Sequence, residues 1–154
     1  SDFTSILGES LPKEFMIRAI SGLGKCYLGQ NKFNELNELI EQLEDNIKEE
    51  NEIQDLIKSK NYIENIEVKE VSELEVKLKD NPKDFNIRYE LARAQIVNKD
   101  YSKAIENLLF IIGKNKEWSQ NKAKKELLDI FSLLGDSNPL TLEGRAKLSN
   151  LIFK

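Results

Sequence analysis

Residues 85–116 read FNIRYELARAQIVNKDYSKAIENLLFIIGKNK. Leu91, Ala92, Gln95 and Ile96 mark one helical face, and Tyr101, Ala104, Ile105, Leu108, Leu109 and Ile112 follow the spacing of an amphipathic helix. The polar triplet Asn98-Lys99-Asp100 separates the two runs, a short turn of the kind that makes neighbouring helices antiparallel. Ala92 and Ala104 are small where two packed helices cross, a position at which a larger side chain forces the axes apart. The stretch therefore predicts one complete helical pair.

The pair defines a ruler of about 34 residues. Leu23, Ile57 and Leu91 are one ruler length apart in turn, as are Ile40, Leu74 and Leu108. Gly24 stands at the small position of Ala92, Phe33 at that of Tyr101, and Pro82 closes the middle unit. Large residues packed around a small one at each crossing are the logic of tetratricopeptide repeats, which this chain resembles. Laid end to end, the ruler predicts one domain over residues 1–154 with repeat 1 at 13–47, a degenerate repeat 2 at 51–82, repeat 3 at 85–116 and an atypical capping pair at 117–154. The expected fold is an all-α, right-handed α-solenoid of about three and a half helix pairs.

Before the first repeat, Phe3, Ile6 and Leu7 form an apolar cluster that stops at Gly8, as the last turn of a helix does. Pro12 opens the next helix, whose stripe Phe15, Met16, Ala19, Ile20, Leu23 and Tyr27 runs to Gly29. Phe33, Leu36, Leu39, Ile40 and Leu43 carry its partner into an acidic stretch from Glu44 to Asn51. In the middle unit Lys58 replaces the small residue, and helices are expected near 52–66 and 69–79. After Gly113 the register slips. A long helix with Trp118, Ala123, Leu127, Ile130 and Phe131 ends at Gly135, and Ser137-Asn138-Pro139 introduces a last helix.

Composition narrows the chemistry. The 154 residues hold no histidine and a single cysteine, Cys26, which removes the usual general base, the usual zinc ligand, any internal disulfide and any Cys-x-x-Cys pair. No catalytic residue, cofactor or metal site is expected, and no apolar run is long enough to span a membrane. The net charge of −4 is unevenly spread: residues 35–80 carry 15 acids and 6 bases, residues 81–154 carry 9 acids and 13 bases. Charge of that kind acts on association and solubility more than on fold.

The remaining motifs are incomplete. Gly22-Leu23-Gly24-Lys25 lacks the spaced glycine and following Ser or Thr of a phosphate loop. Cys26 is expected as a small buried apolar residue. Lys114, Lys116, Lys122, Lys124 and Lys125 crowd around Trp118, but Glu117, Glu126 and Asp129 interrupt them, so a solvated helix start is expected and not a nucleic-acid surface.

A closer resemblance runs from Asp80 to Phe153, through Asn81-Pro82, Arg88, Leu91-Ala92, Tyr101, Ala104, Leu108-Leu109, Trp118, LLDIFSLLGDSNPL and Arg145, with Leu23-Gly24-Lys25-Cys26-Tyr27-Leu28 adding the first repeat. These residues are similar to the C-terminal repeat region of bacterial thioredoxin-like proteins of the chaperedoxin type. The resemblance implies a cytoplasmic, non-enzymatic protein-binding module. It also implies an N-terminal thioredoxin domain absent from this chain, unfolded protein clients and a chaperonin partner. The alternative is a scaffold or oligomerisation domain. The first helix of each pair builds the inner face of such an array, and the ruler assigns Arg18, Lys25, Tyr62, Tyr89, Arg93 and Ile96 to it as partner-binding residues for a protein or peptide.

Overall fold

The structure, a computed structural model, describes residues 12–153. The apolar cluster at Phe3, Ile6 and Leu7 lies outside the described residues. Among those described there are nine helices and no strand: α1 (Lys13–Gly29), α2 (Phe33–Glu41), α3 (Asp45–Lys48), α4 (Asn51–Glu64), α5 (Val71–Asp80), α6 (Phe85–Val97), α7 (Tyr101–Lys114), α8 (Trp118–Leu134) and α9 (Pro139–Ile152). The chain is all-α, as its periodicity predicts. It divides between Asn65 and Ile66 into two compact units.

In the first unit α1 packs against α2 and α4. Its buried side is Met16, Ile17, Ile20, Ser21, Gly24 and Leu28, a face rotated from the expected stripe, since Phe15 is 58% exposed. The rotation follows from Gly24: a Cβ there would collide with the Leu56 side chain, so the small residue turns toward α4 and carries its neighbours at i±4 with it. Cys26 falls on the opposite side and is exposed, which corrects the expectation that it is buried. The acidic stretch after α2 contains α3, pinned by the fully buried Ile47.

The second unit begins with α5 packed on α6, then α6 on α7, α7 on α8, and α9 against both α7 and α8. This is the helix-on-helix stacking expected of a solenoid. The stripe Leu91, Ala92, Gln95 and Ile96 is buried throughout, and Ala104, Leu108 and Ile112 are no more than 1% exposed. Asp84 starts α6 by accepting a hydrogen bond from the Ile87 N–H at 3.1 Å. Asn138 does the same for α9 from the Leu140 N–H at 2.9 Å, with Pro139 in the first turn.

The ruler also appears in the turns. Asn31 (φ 54°) and Lys99 (φ 65°), two ruler lengths apart, are both left-handed. In each case the next N–H closes the helix end with the same long-range bond, Lys32 N–H to Tyr27 O and Asp100 N–H to Gln95 O, both 2.8 Å. Asn65, midway between them, ends α4 with φ −83° and does not use this turn. The turn that closes α1 and α6 is thus not repeated after α4, and α4 and α5 belong to different units.

Candidate functional site

The helix α6 presents two chemically distinct sides within the second unit. Toward α8, the Tyr89 hydroxyl donates to Glu126 Oε1 at 2.5 Å, and Arg93 Nε lies 3.6 Å from the same oxygen. Tyr89 and Glu126 are 6% and 5% exposed, so this is a buried, charge-assisted hydrogen bond. Burial, followed by the Glu126 hydrogen bond, raises the Tyr89 phenol above its ordinary pKa.

Trp118 closes the end of this cluster. Its ring lies 5.6 Å from that of Tyr89 and meets Phe85 edge-on at 6.1 Å. It is placed by an unusual start to α8, in which Ser119, Gln120 and Asn121 make a left-handed turn with φ of 47°, 59° and 66°. The Lys122 ammonium then sits 4.5 Å from the Tyr89 ring centre, and the Arg93 guanidinium 5.8 Å from it. Tyr89 is therefore enclosed by a carboxylate, an indole and two cations. Of these groups, Trp118 and Arg93 are half-buried and Lys122 is exposed.

The six residues predicted from the sequence fare differently. Tyr89 and Arg93 come together as described, but the buried Tyr89 meets protein, and Arg93 is the one that reaches the surface. Ile96 is fully buried, which removes it from any partner surface. It continues the turn-by-turn row begun by Tyr89 and Ala92, and that row faces the interior. Arg18 is exposed in a cleft of about 320 Å³ beside Ile17, Glu14, Glu50 and Glu52; Lys25 is exposed, and Tyr62 is half-buried. These three belong to the first unit.

In the sequence Glu126 reads only as a break in a lysine patch, and nothing local gives Trp118 or Lys122 a partner. The lysines around Trp118 scatter: Lys114 stands over Phe110, Lys116 donates to Ile152 O and Lys122 stands over Tyr89. Among the described residues no group of acids and cysteine could hold a metal ion, and no helix is long and apolar enough to cross a membrane.

A profile of the tetratricopeptide repeat family matches residues 65–153, from the end of α4 through α9. The chain belongs to the tetratricopeptide repeat family. Tetratricopeptide repeats generally mediate protein–protein interaction and are typically non-catalytic. No curated protein matches the chain. A solved structure similar to it is a domain of protein VP0806, of unknown function, from Vibrio parahaemolyticus RIMD 2210633. It is 25% identical with a TM-score of 0.49, over 92% of this chain and 84% of that one.

Proposed function

We propose that this chain is the protein-binding module of a thioredoxin-fold, chaperone-like protein of the bacterial cytoplasm, which engages unfolded clients or a chaperone partner and catalyses no reaction itself. Family membership supports the binding role, and the resemblance over Asp80–Phe153 supports the chaperone context. The observation that carries the reading is the surface at the junction of α6 and α8. There Arg93, Trp118 and Lys122 offer a guanidinium, an indole and an ammonium over the rigid Tyr89–Glu126 pair. An unfolded chain presents aromatic rings, backbone carbonyls and carboxylates, which such a surface accepts without requiring one sequence.

Light scattering from a thermally unfolding reporter protein tests this. The wild-type chain is expected to suppress aggregation, and Arg93→Ala with Lys122→Ala to lose that protection at unchanged helical circular dichroism. Undiminished protection by the double variant contradicts the assignment of this surface. A wild-type chain that gives no protection and sediments as an oligomer favours the scaffold role instead.

A further inference from the structure

The other side of α6 carries a second feature, independent of the α8 junction. Arg88, Leu91 and Gln95 form the floor of a groove of about 450 Å³, with Leu78 and Lys79 of α5 on one wall and Asn107 of α7 on the other. Arg88 Nη1 donates to Asn107 Oδ1 at 3.0 Å and Nη2 to Pro82 O at 3.2 Å, while Asn107 Nδ2 donates to Gln95 Oε1 at 2.9 Å. The guanidinium stacks 3.8 Å from the Phe110 ring centre, and its Nε is buried with no hydrogen-bond partner. Every oxygen that holds Arg88 is neutral. Among the described residues it has no carboxylate partner, although its planar fork matches one and its charge is partly desolvated. Lys79 and Lys103 accompany it in the groove against Glu75 and Glu106, and because Lys103 also pairs with Asp100 at 3.7 Å, the positive charge that the lining leaves without a carboxylate is that of Arg88.

We infer that this groove is a binding site for an acidic peptide segment, in which an Asp or Glu carboxylate meets Arg88 and an adjacent aliphatic side chain packs against Leu78. The Asn107–Gln95 relay fixes the guanidinium in advance, so little side-chain freedom is lost when the carboxylate arrives. Leu78 belongs to the apolar cluster of Leu74, Leu91 and Ala94, which supplies the aliphatic contact.

The test is fluorescence anisotropy with a capped, fluorescein-labelled peptide of alternating leucine and glutamate and its leucine–glutamine counterpart. The glutamate peptide is expected to bind the wild-type chain at least about tenfold more tightly than the glutamine peptide, as a charge-assisted pair requires. Asn107→Asp supplies Arg88 with an internal carboxylate, to which the Gln95 amide donates once it is flipped, and is expected to weaken binding about tenfold without lowering the melting temperature. Equal binding of the two peptides overturns the proposal, as does wild-type affinity in an Asn107→Asp protein that melts normally. Should that variant melt early, Lys79→Glu at an exposed position replaces it, with weakened binding supporting the proposal and unchanged binding overturning it. Loss of binding in Arg93→Ala together with wild-type binding in Lys79→Glu would place the peptide on the other side of α6 and overturn the proposal. Displacement of the peptide by millimolar acetate would assign the groove to small carboxylates instead.

Discussion

The Tyr89 hydroxyl and the Glu126 carboxylate meet at 2.5 Å across the junction of α6 and α8, in a site where neither residue is more than 6% exposed. A carboxylate in such surroundings is tolerated because donors satisfy it, here Tyr89 and the neighbouring Arg93. Removing one donor while leaving the carboxylate in place is therefore costly. Tyr89→Phe is expected to lower unfolding free energy by about 1–3 kcal/mol, read from urea denaturation. An unchanged midpoint would show that the pair contributes nothing net.

Alkaline conditions act through the same hydroxyl. The Tyr89 phenol is raised above its ordinary value of 10.0 by burial and by Glu126, and that of Tyr101 is raised by burial. Both hold their protons more tightly in the folded chain, so the stability they contribute is fully present below the unfolded value and is lost as pH rises past about 10. Tyr89→Phe is expected to flatten the decline, measured as melting temperature against pH. An identical slope in the variant would exclude Tyr89 as its source.

Two glycines in helix interiors should respond in opposite directions to alanine. A Cβ at Gly144 would lie 2.6 and 2.8 Å from ring atoms of the buried Phe131, so Gly144→Ala is expected to cost about 1–3 kcal/mol. Nothing lies within 4 Å of a Cβ at Gly22, and Gly22→Ala should gain about 0.5–1 kcal/mol from helix propensity. Thermal melts of the two variants shifting in the same direction would contradict the packing described.

The left-handed turn at Ser119–Asn121 stores backbone strain, since each non-glycine residue in that region costs about 1–2 kcal/mol. Gln120→Gly relieves one such residue and is expected to raise the melting temperature, whereas the β-branched Gln120→Val should lower it. The reverse order would exclude this turn.

Much of the second unit was legible because periodicity reports local geometry well. Leu91, Ala92, Gln95 and Ile96 lie within two turns of helix, and their shared face needs no knowledge of distant chain. The turn at Asn98-Lys99-Asp100 is legible for the same reason, lying between the closing turn of one helix and Tyr101 at the start of the next.

What escaped depends on how helices are rotated against one another. Nothing local to Tyr89 indicates that its hydroxyl meets a carboxylate 37 residues later, because that contact requires the position of α8. The left-handed start of α8 adds to the difficulty, since counting by three and four residues across Trp118 to Lys122 assumes a right-handed helix that begins only afterwards. In α1 large and small apolar residues compete for the interior, and periodicity alone does not rank them. Gly24 is drawn inward by Leu56, and Phe15 is left outside. The exposure of Cys26 follows from the same rotation.

The chain contains one tryptophan. Trp118 is held against Tyr89 and Phe85 at the junction of α6 and α8, half in contact with solvent. The protein thus carries its own optical reporter: emission from this one indole, and energy transfer to it from Tyr89, register events at the α6–α8 junction and need no attached label.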